Sequence, residues 1–231
     1  MAKRSKNYIK AKEKIEEKEY AIDEAVAMLK DIKYSRFDES VDISMRLGVD
    51  PKYPDQMVRG TVVLPHGTGK VNRVLVVATG EKQKDAEEAG ADFFGGEEMV
   101  EKIQKENWFE FDVLIVTPDM MKSVGRLGKI LGPKGLMPSP KAGTVTFNVK
   151  EAVAEIKQGR IEFKVDKTGI INSAIGKVSF ANEKLIDNAR DFITAVIKAR
   201  PPALKGKYVE RIFISSTMSP SVKLNAQAFE K

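Results

Sequence analysis

The chain has 231 residues, 39 Lys and Arg against 33 Asp and Glu (net charge +6), no cysteine and a single histidine, His66. The lack of cysteine excludes disulfides, thiolate metal sites and thiol nucleophiles, and one histidine excludes a zinc site built from several. No apolar run approaches the roughly 20 residues of a membrane span, and the basic N-terminal stretch lacks the apolar core of a signal peptide, so we expect a soluble, cytoplasmic protein.

The first part of the chain shows the pattern of a half-buried antiparallel sheet. Residues 20–32 have helical periodicity. Apolar and polar residues then alternate strictly between Val41 and Leu47, which predicts a strand with one buried and one solvent-exposed face. A further strand is predicted at residues 58–64.

The middle of the chain reads differently. Residues 74–78 and 113–116 are continuous apolar runs, which are typical of strands buried on both faces. Helices are predicted at 82–89, 97–106 and 150–158, and shorter strands at 91–94 and 144–147. This alternation of β and α predicts a doubly wound parallel sheet.

The last part returns to alternation. Strands are predicted at 160–165, 168–173 and 208–216, with a helix at 183–199 that Pro201 and Pro202 stop. We therefore predict two domains, α+β and α/β: an antiparallel-sheet domain from residues 1–66 plus 160–231, and an inserted domain of residues 67–159. The joints are glycine-rich, at 64–70 and 157–160.

The charge is uneven along the chain. The net charge is +2 over residues 1–70, −2 over 71–159 and +6 over 160–231. Residues 120–149 contain five basic residues and no acidic one. Basic surfaces of this kind suit a polyanionic partner, although +6 is also ordinary for a soluble domain.

No sequence motif indicates an enzyme. The segment Gly67–Thr68–Gly69–Lys70 resembles a phosphate loop, but Leu64 and Val71 occupy the positions where that motif needs Gly and Ser or Thr. We interpret it as a hinge turn and His66 beside it as structural. No catalytic constellation, metal site or cofactor site is predicted.

Two kinds of segment could contact an anion. The Gly- and Pro-rich stretch 125–143, which carries Lys134 and Lys141, is either an anion-binding loop or a long connection that needs turns. Small polar, basic and aromatic residues also stand at predicted strand ends, and they suit a sugar–phosphate surface or, alternatively, ordinary edges of the fold. These residues are Arg36, Phe37, Lys167, Thr168, Thr217, Met218 and Ser219.

At these residues the sequence resembles the L-one family of large-subunit ribosomal stalk proteins, in its bacterial form. The resemblance runs from about residue 2 to residue 224. It is carried by RFDESVDISMRLGVDPKYPDQMVRGTVVLPHGTGK, ATGEKQKDAEEAGAD, GRLGKILGPKGLMPSPKAGTV, GRIEFKVDKTG and STMSPSVKLN.

The resemblance implies two domains: a split β-α-β antiparallel-sheet domain from both chain ends, and an inserted Rossmann-like parallel α/β domain. It also implies a structural, non-enzymatic RNA-binding protein of the ribosome that is monomeric when free. Its partners would be large-subunit ribosomal RNA, deacylated tRNA at the exit site beside the mobile stalk, and its own operon mRNA, whose translation it would repress. No membrane partner is implied.

The resemblance also assigns residues. The family's main RNA contacts fall on Arg36, Phe37, Lys167, Thr168, Thr217 and Met218. Ser219 stands where the family usually has Gly, so the backbone there would be strained if it required a positive φ. Lys134 and Lys141 would form a secondary contact on the inserted domain.

Two rival interpretations remain at this point. A nucleotide-dependent enzyme would need a phosphate loop or a carboxylate constellation. A protein-interaction module would use the acidic stretch 81–119, and its contacts would survive nuclease treatment.

Overall fold

In the computed structural model, which describes residues 5–202, 204 and 206–229, the chain forms two compact units. The first unit comprises Met1–Gly69 and Ile161–Lys231, and the second comprises Lys70–Arg160. The predicted joints, after residue 66 and before residue 160, lie three residues and one residue from these limits.

The helices and strands follow one another in this order: α1 Lys6–Glu13, α2 Ile22–Asp31, β1 Ser40–Leu47, β2 Arg59–Val63, β3 Val74–Val77, α3 Glu81–Glu88, β4 Phe93–Gly95, α4 Glu97–Glu106, β5 Val113–Val116, α5 Met121–Gly125, α6 Gly128–Leu131, α7 Val149–Gln158, β6 Arg160–Lys164, β7 Ile170–Lys177, α8 Asn182–Lys198, β8 Val209–Ser216 and β9 Val222–Leu224. No helix among the described residues is long and apolar enough to span a membrane.

The first unit is built on an antiparallel sheet in the order β7-β1-β8-β9. Along β1 the residues alternate as predicted: Val41, Ile43, Met45 and Leu47 are buried, and the residues between them are partly or fully exposed. The buried side packs against α2 and α8. We call the opposite side, which carries Asp42, Ser44 and Arg46 of β1, the open face. A second, two-stranded sheet pairs β2 with β6.

A buried amide in α8 connects this helix to the turn that ends the first chain segment. Asn188 has no exposed surface, donates hydrogen bonds of 2.8 Å to the carbonyls of Gly67 and Ile175, and accepts one of 3.1 Å from the N–H of His66. The backbone of His66 and Gly67, at the start of the segment interpreted as a hinge turn, is therefore bound to α8. Gly67 and Gly69 both have positive φ there, 63° and 73°, which glycine adopts without strain.

The second unit is an α/β layer structure with a parallel sheet in the order β4-β3-β5. Every residue of β3 is buried, as its continuous apolar run predicts. Leu75 and Val77 pack on the side of α4, and Val74 and Val76 pack on the side of α3 and α7. Helices cover both faces, which confirms the predicted α+β and α/β fold class.

One predicted strand is absent, and another has different bounds. Residues 144–147 form no strand: only Val145 bridges to Val116, because Thr144 donates its N–H to the carbonyl of Ser139 in a local turn. The strand predicted at 168–173 instead begins at Ile170 and continues to Lys177. The sequence also did not predict α1, α5, α6 or β9.

Candidate nucleic-acid interface

Phe37 and Met218 are large apolar side chains that remain half-exposed, at 52% and 48%. Phe37 precedes β1 and Met218 follows β8. Because β1 and β8 are antiparallel, with Val41 opposite Ser216, the two segments lie side by side at one end of the sheet. Arg36 is exposed next to Phe37. We call Arg36, Phe37, Thr217, Met218 and Ser219 the first cluster.

Thr217 continues the pairing of β1 with β8 beyond the end of the sheet. Its N–H donates to the carbonyl of Ser40 at 3.1 Å, and its hydroxyl accepts a hydrogen bond from the N–H of Ser40 at 3.1 Å. The hydroxyl oxygen also lies 3.4 Å from the Ser40 carbonyl oxygen, a long distance for a hydrogen bond donated by the hydroxyl. The hydroxyl therefore has a structural role and still keeps a proton that it can donate to a ligand.

Glu39 lies beneath the first cluster and has no exposed surface. Its carboxylate accepts hydrogen bonds from the hydroxyls of Ser35 and Ser216 and from the N–H of Met218, the last at 3.2 Å. Burial raises the pKa of this carboxyl, but these donors together outweigh burial and lower the pKa below its usual value. Nothing in the polar stretch around Glu39 indicated from the sequence that it would be buried.

Ser219, which stands where the family usually has glycine, shows no backbone strain from a positive φ. Among the described residues, Asn107 alone of the non-glycine residues has a positive φ. The Ser219 hydroxyl accepts a hydrogen bond from the N–H of Ser216 at 2.9 Å and donates to the carbonyl of Pro220 at 3.2 Å. The serine side chain thus closes the turn after β8.

Lys167 and Thr168 occupy the turn between β6 and β7. Asp166 organises this turn, because its Oδ1 accepts the N–H and hydroxyl of Thr168, both at 2.7 Å, and the N–H of Ile170 at 2.9 Å. The pKa of the Asp166 carboxyl is lowered, mainly by the hydrogen bonds from the Thr168 hydroxyl and the Ile170 N–H. Lys167 is exposed, and no ion pair involving it occurs among the described residues.

The structure places this turn, which we call the second cluster, at the far end of β1 from the first. Arg46 pairs with Ile170, and Leu47 donates its N–H to the carbonyl of Gly169. An eight-residue strand spans roughly 23–26 Å. The predicted residues therefore form two clusters joined by one strand, rather than a single compact site.

The open face of the sheet connects the two clusters. Ser44 donates to the Asn172 side chain at 2.7 Å, and Arg46 forms an ion pair of 2.9 Å with Glu210. Burial raises the pKa of Asp42, and the nearby positive charge of Lys177 opposes that change. Polar groups thus line the path between the clusters, as the alternation of β1 predicted.

Lys134 and Lys141 lie in the second unit. The Lys134 ammonium lies 4.0 Å from the ring centroid of Phe109, a cation–π contact. Lys141 is exposed in a short turn, Pro140–Ala142. Lys122, Arg126 and Lys129 are also exposed on this unit.

The units differ in charge. Counted over the whole sequence, the first holds 25 basic and 19 acidic residues, a net of +6, and the second holds 14 of each, a net of zero. No group of three or more residues that could hold a metal ion occurs in the described part of the chain. The first unit is therefore the one suited to a polyanion.

Comparison with known proteins gives a consistent result. The sequence model of the ribosomal protein L1p/L10e family matches residues 29–220. The chain is 57% identical over 227 residues to the large ribosomal subunit protein uL1 of Solibacter usitatus (strain Ellin6076), covering 98% of this chain and 96% of the relative. It is 58% identical over 229 residues to the protein of the same name from Persephonella marina (strain DSM 14350 / EX-H1), covering 97% and 95%.

Proposed function

The chain belongs to the ribosomal protein L1p/L10e family, and from this membership we propose that it binds large-subunit ribosomal RNA through its first unit. It is a structural protein of the large ribosomal subunit and not an enzyme, and its place in the cell is the cytoplasmic ribosome. The finer assignments below, to particular residues and to further RNA partners, are part of the proposal.

The observation that carries the proposal is the first cluster: two half-exposed apolar side chains beside a hydroxyl, on the unit that holds the net positive charge. RNA is recognised largely through shape, unstacked bases and the 2′-hydroxyl. Phe37 and Met218 can pack on a base or ribose, and Thr217 can donate its proton to a 2′-hydroxyl.

The second cluster supplies the electrostatic part of the interface. Lys167 is exposed in a turn that Asp166 holds in place, so its ammonium is well placed to contact a phosphate. Because the two clusters lie about 25 Å apart along β1, the bound RNA has to be a structured element long enough to reach both.

Within the ribosome, we propose that the protein forms the mobile stalk and assists release of deacylated tRNA from the exit site. The exposed lysines of the second unit, Lys134 and Lys141, would make the secondary RNA contact. We also propose that the free, monomeric protein binds its own operon mRNA through the first unit and represses translation.

Filter binding to large- and small-subunit ribosomal RNA fragments of matched length tests the main proposal. We expect the large-subunit fragment to bind at least about 100-fold more tightly at physiological salt, within the usual specificity range of nucleic-acid-binding proteins. The double variant Phe37→Ala/Met218→Ala should lose at least about tenfold of that affinity. Equal affinity for both RNAs would refute the proposal.

Two further measurements test the finer assignments. Operon leader RNA should compete with the ribosomal fragment for the protein, since both would use the first unit. Ribosomes carrying Lys134→Ala/Lys141→Ala should release deacylated tRNA more slowly than ribosomes with the unchanged protein. Simultaneous binding of both RNAs, or unchanged tRNA release, would contradict the corresponding assignment.

A further inference from the structure

Glu39 is a buried carboxylate without a cationic partner. Charged side chains are almost never fully buried unless they are paired. Among the described residues Glu39 forms no ion pair, and the groups around its carboxylate are neutral donors: the hydroxyls of Ser35 and Ser216 and the N–H groups of Met218 and Ser35. Its negative charge also lies under a surface that we propose binds a polyanion, so electrostatics alone disfavours a carboxylate there.

These donors come from two segments that are distant in the sequence. Ser35 precedes β1, Ser216 ends β8 and Met218 belongs to the segment after it. Tyr34 adds a parallel link, because its hydroxyl donates to the Met218 carbonyl at 2.6 Å. Glu39 therefore joins the segment that carries Phe37 to the segment that carries Met218.

The neighbouring carboxylate shows that proximity in sequence does not create this role. Asp38 is exposed, and it accepts hydrogen bonds from the N–H and hydroxyl of Ser179 at 3.1 Å and 2.8 Å. It does not bond to the segment after β8. A carboxylate has two oxygens and can accept several donors at once. Of these two neighbouring carboxylates, Glu39 is the one that accepts donors from both segments of the first cluster.

We propose that Glu39 is the positioning residue of the first cluster: its carboxylate holds the segment at 217–219 against the segment at 34–37, so that Phe37 and Met218 present one preformed apolar surface to RNA. This inference rests on the proposed binding of ribosomal RNA by the first unit. Preorganisation of this kind raises affinity, because fewer groups have to be ordered when the ligand binds.

The variants Glu39→Ala and Glu39→Gln separate positioning from charge. In Glu39→Ala these donors lose their acceptor, and we expect the Kd for the large-subunit RNA fragment, corrected for the folded fraction, to rise at least about tenfold. In Glu39→Gln the amide oxygen still accepts from Ser216 and Met218, and the amide N–H can donate to the Ser35 hydroxyl, so that only the weakest contact, with the N–H of Ser35, is lost. Its Kd should stay within about threefold of the unchanged protein.

A double-mutant cycle excludes a merely structural effect. In the background Phe37→Ala/Met218→Ala, the change Glu39→Ala should cost less than about a further twofold in affinity, because the surface that it positions is gone. Its effect on thermal unfolding should remain. Glu24→Ala, which removes an exposed carboxylate from α2, is the matched control and should leave the Kd unchanged.

Ser216→Ala provides a second route if Glu39→Ala does not fold. This variant removes one donor and keeps the carboxylate, and we expect a loss of affinity of about threefold or more. The inference is overturned if Glu39→Ala, or Ser216→Ala in its place, binds like the unchanged protein, if Glu39→Gln is as weak as Glu39→Ala, or if the cycle is additive. An unchanged protein without preference for large-subunit RNA would refute the proposed function and the inference together.

Discussion

Thr217 is the residue whose structural and RNA-binding roles most need to be separated. Its hydroxyl oxygen accepts the N–H of Ser40, while its proton is only weakly engaged. A change at this position should therefore affect folding and binding to different extents.

We expect Thr217→Val to reduce the free energy of unfolding by about 1 kcal/mol, because the Ser40 N–H loses its acceptor. RNA affinity should fall about tenfold, or about 1.4 kcal/mol, and this loss should persist at high salt because no phosphate contact is removed. Thermal melts and filter binding at two salt concentrations measure the two effects. A loss of affinity that merely follows the loss of folded protein would leave Thr217 with its structural role only.

Lys167→Ala should differ from Thr217→Val, because its effect on RNA affinity should depend on salt concentration. Lys167→Ala should weaken RNA binding and reduce the slope of log affinity against log salt by about 0.7–0.9, the value for one phosphate contact. Lys198→Ala, on the exposed side of α8, is the matched control and should leave the slope unchanged. Filter binding over a series of salt concentrations decides this, and an unchanged slope for Lys167→Ala would show that its ammonium does not contact phosphate.

At the scale of elements, pairing with a neighbouring strand determined which residues form a strand where the local sequence pattern did not. The strand predicted at 168–173 ends before Ala174 and Gly176, which are poor strand formers. Pairing with β1 continues to Lys177 through a register shift at Val41 and Asp42. Residues 144–147 show the converse: their pattern predicted a strand, but only one residue finds a partner.

Asp112, the residue immediately before β5, forms hydrogen bonds whose contribution to stability should depend on pH. Lys70 donates to the Asp112 carboxylate at 2.8 Å, and Arg73 donates its N–H and its guanidinium Nε, each at 3.2 Å. The Lys70 hydrogen bond, followed by those from Arg73, lowers the pKa of Asp112 from 3.8 to about 2, against an opposing effect of burial.

A lowered pKa in the folded state stabilises the protein above the unfolded value, and this stabilisation is lost as the pH falls from about 4 to about 2. We expect Asp112→Asn to reduce stability at pH 6 by about 1–2 kcal/mol, a figure reduced for solvent screening, and the difference from the unchanged protein to vanish near pH 2. Trp108, the single tryptophan, lies in the second unit and reports its unfolding by fluorescence. A difference that is independent of pH would contradict this account.

At the scale of the whole molecule, the last strand before the second unit, β2, pairs with the strand that follows that unit, β6. β2 and β6 form one two-stranded sheet, and the core of this unit contains residues from both chain ends. The first unit therefore does not need the second for its own packing.

We expect residues 1–69, joined by a short Gly/Ser linker to residues 161–231, to fold and to bind the large-subunit RNA fragment within about tenfold of the full chain. This piece keeps both clusters and the net charge of +6. Residues 70–160, with no net charge, should bind at least about 100-fold more weakly. Circular dichroism establishes folding and filter binding gives the affinities; the reverse order of affinities would show that the main RNA surface lies on the second unit.

The sequence by itself determined the periodicities and therefore the fold class. Strict alternation from Val41 to Leu47 requires a half-buried strand, and the uninterrupted apolar residues of Val74–Val77 require a strand covered on both sides. The long family-like segments also indicated the family to which the chain belongs and the residues to test. These are local properties of the chain, so they can be read without knowing which segments pair.

Only the tertiary structure decided how the predicted site residues are grouped. The register of β1 against β7 and β8 places Phe37 and Met218 at one end of a strand and Lys167 at the other. The same register brings Ser35, Ser216 and Met218 around Glu39, whose neighbours in the sequence gave no sign of burial. Register depends on contacts between residues more than 100 positions apart, and for that reason the local pattern could predict the strands but not the site between them.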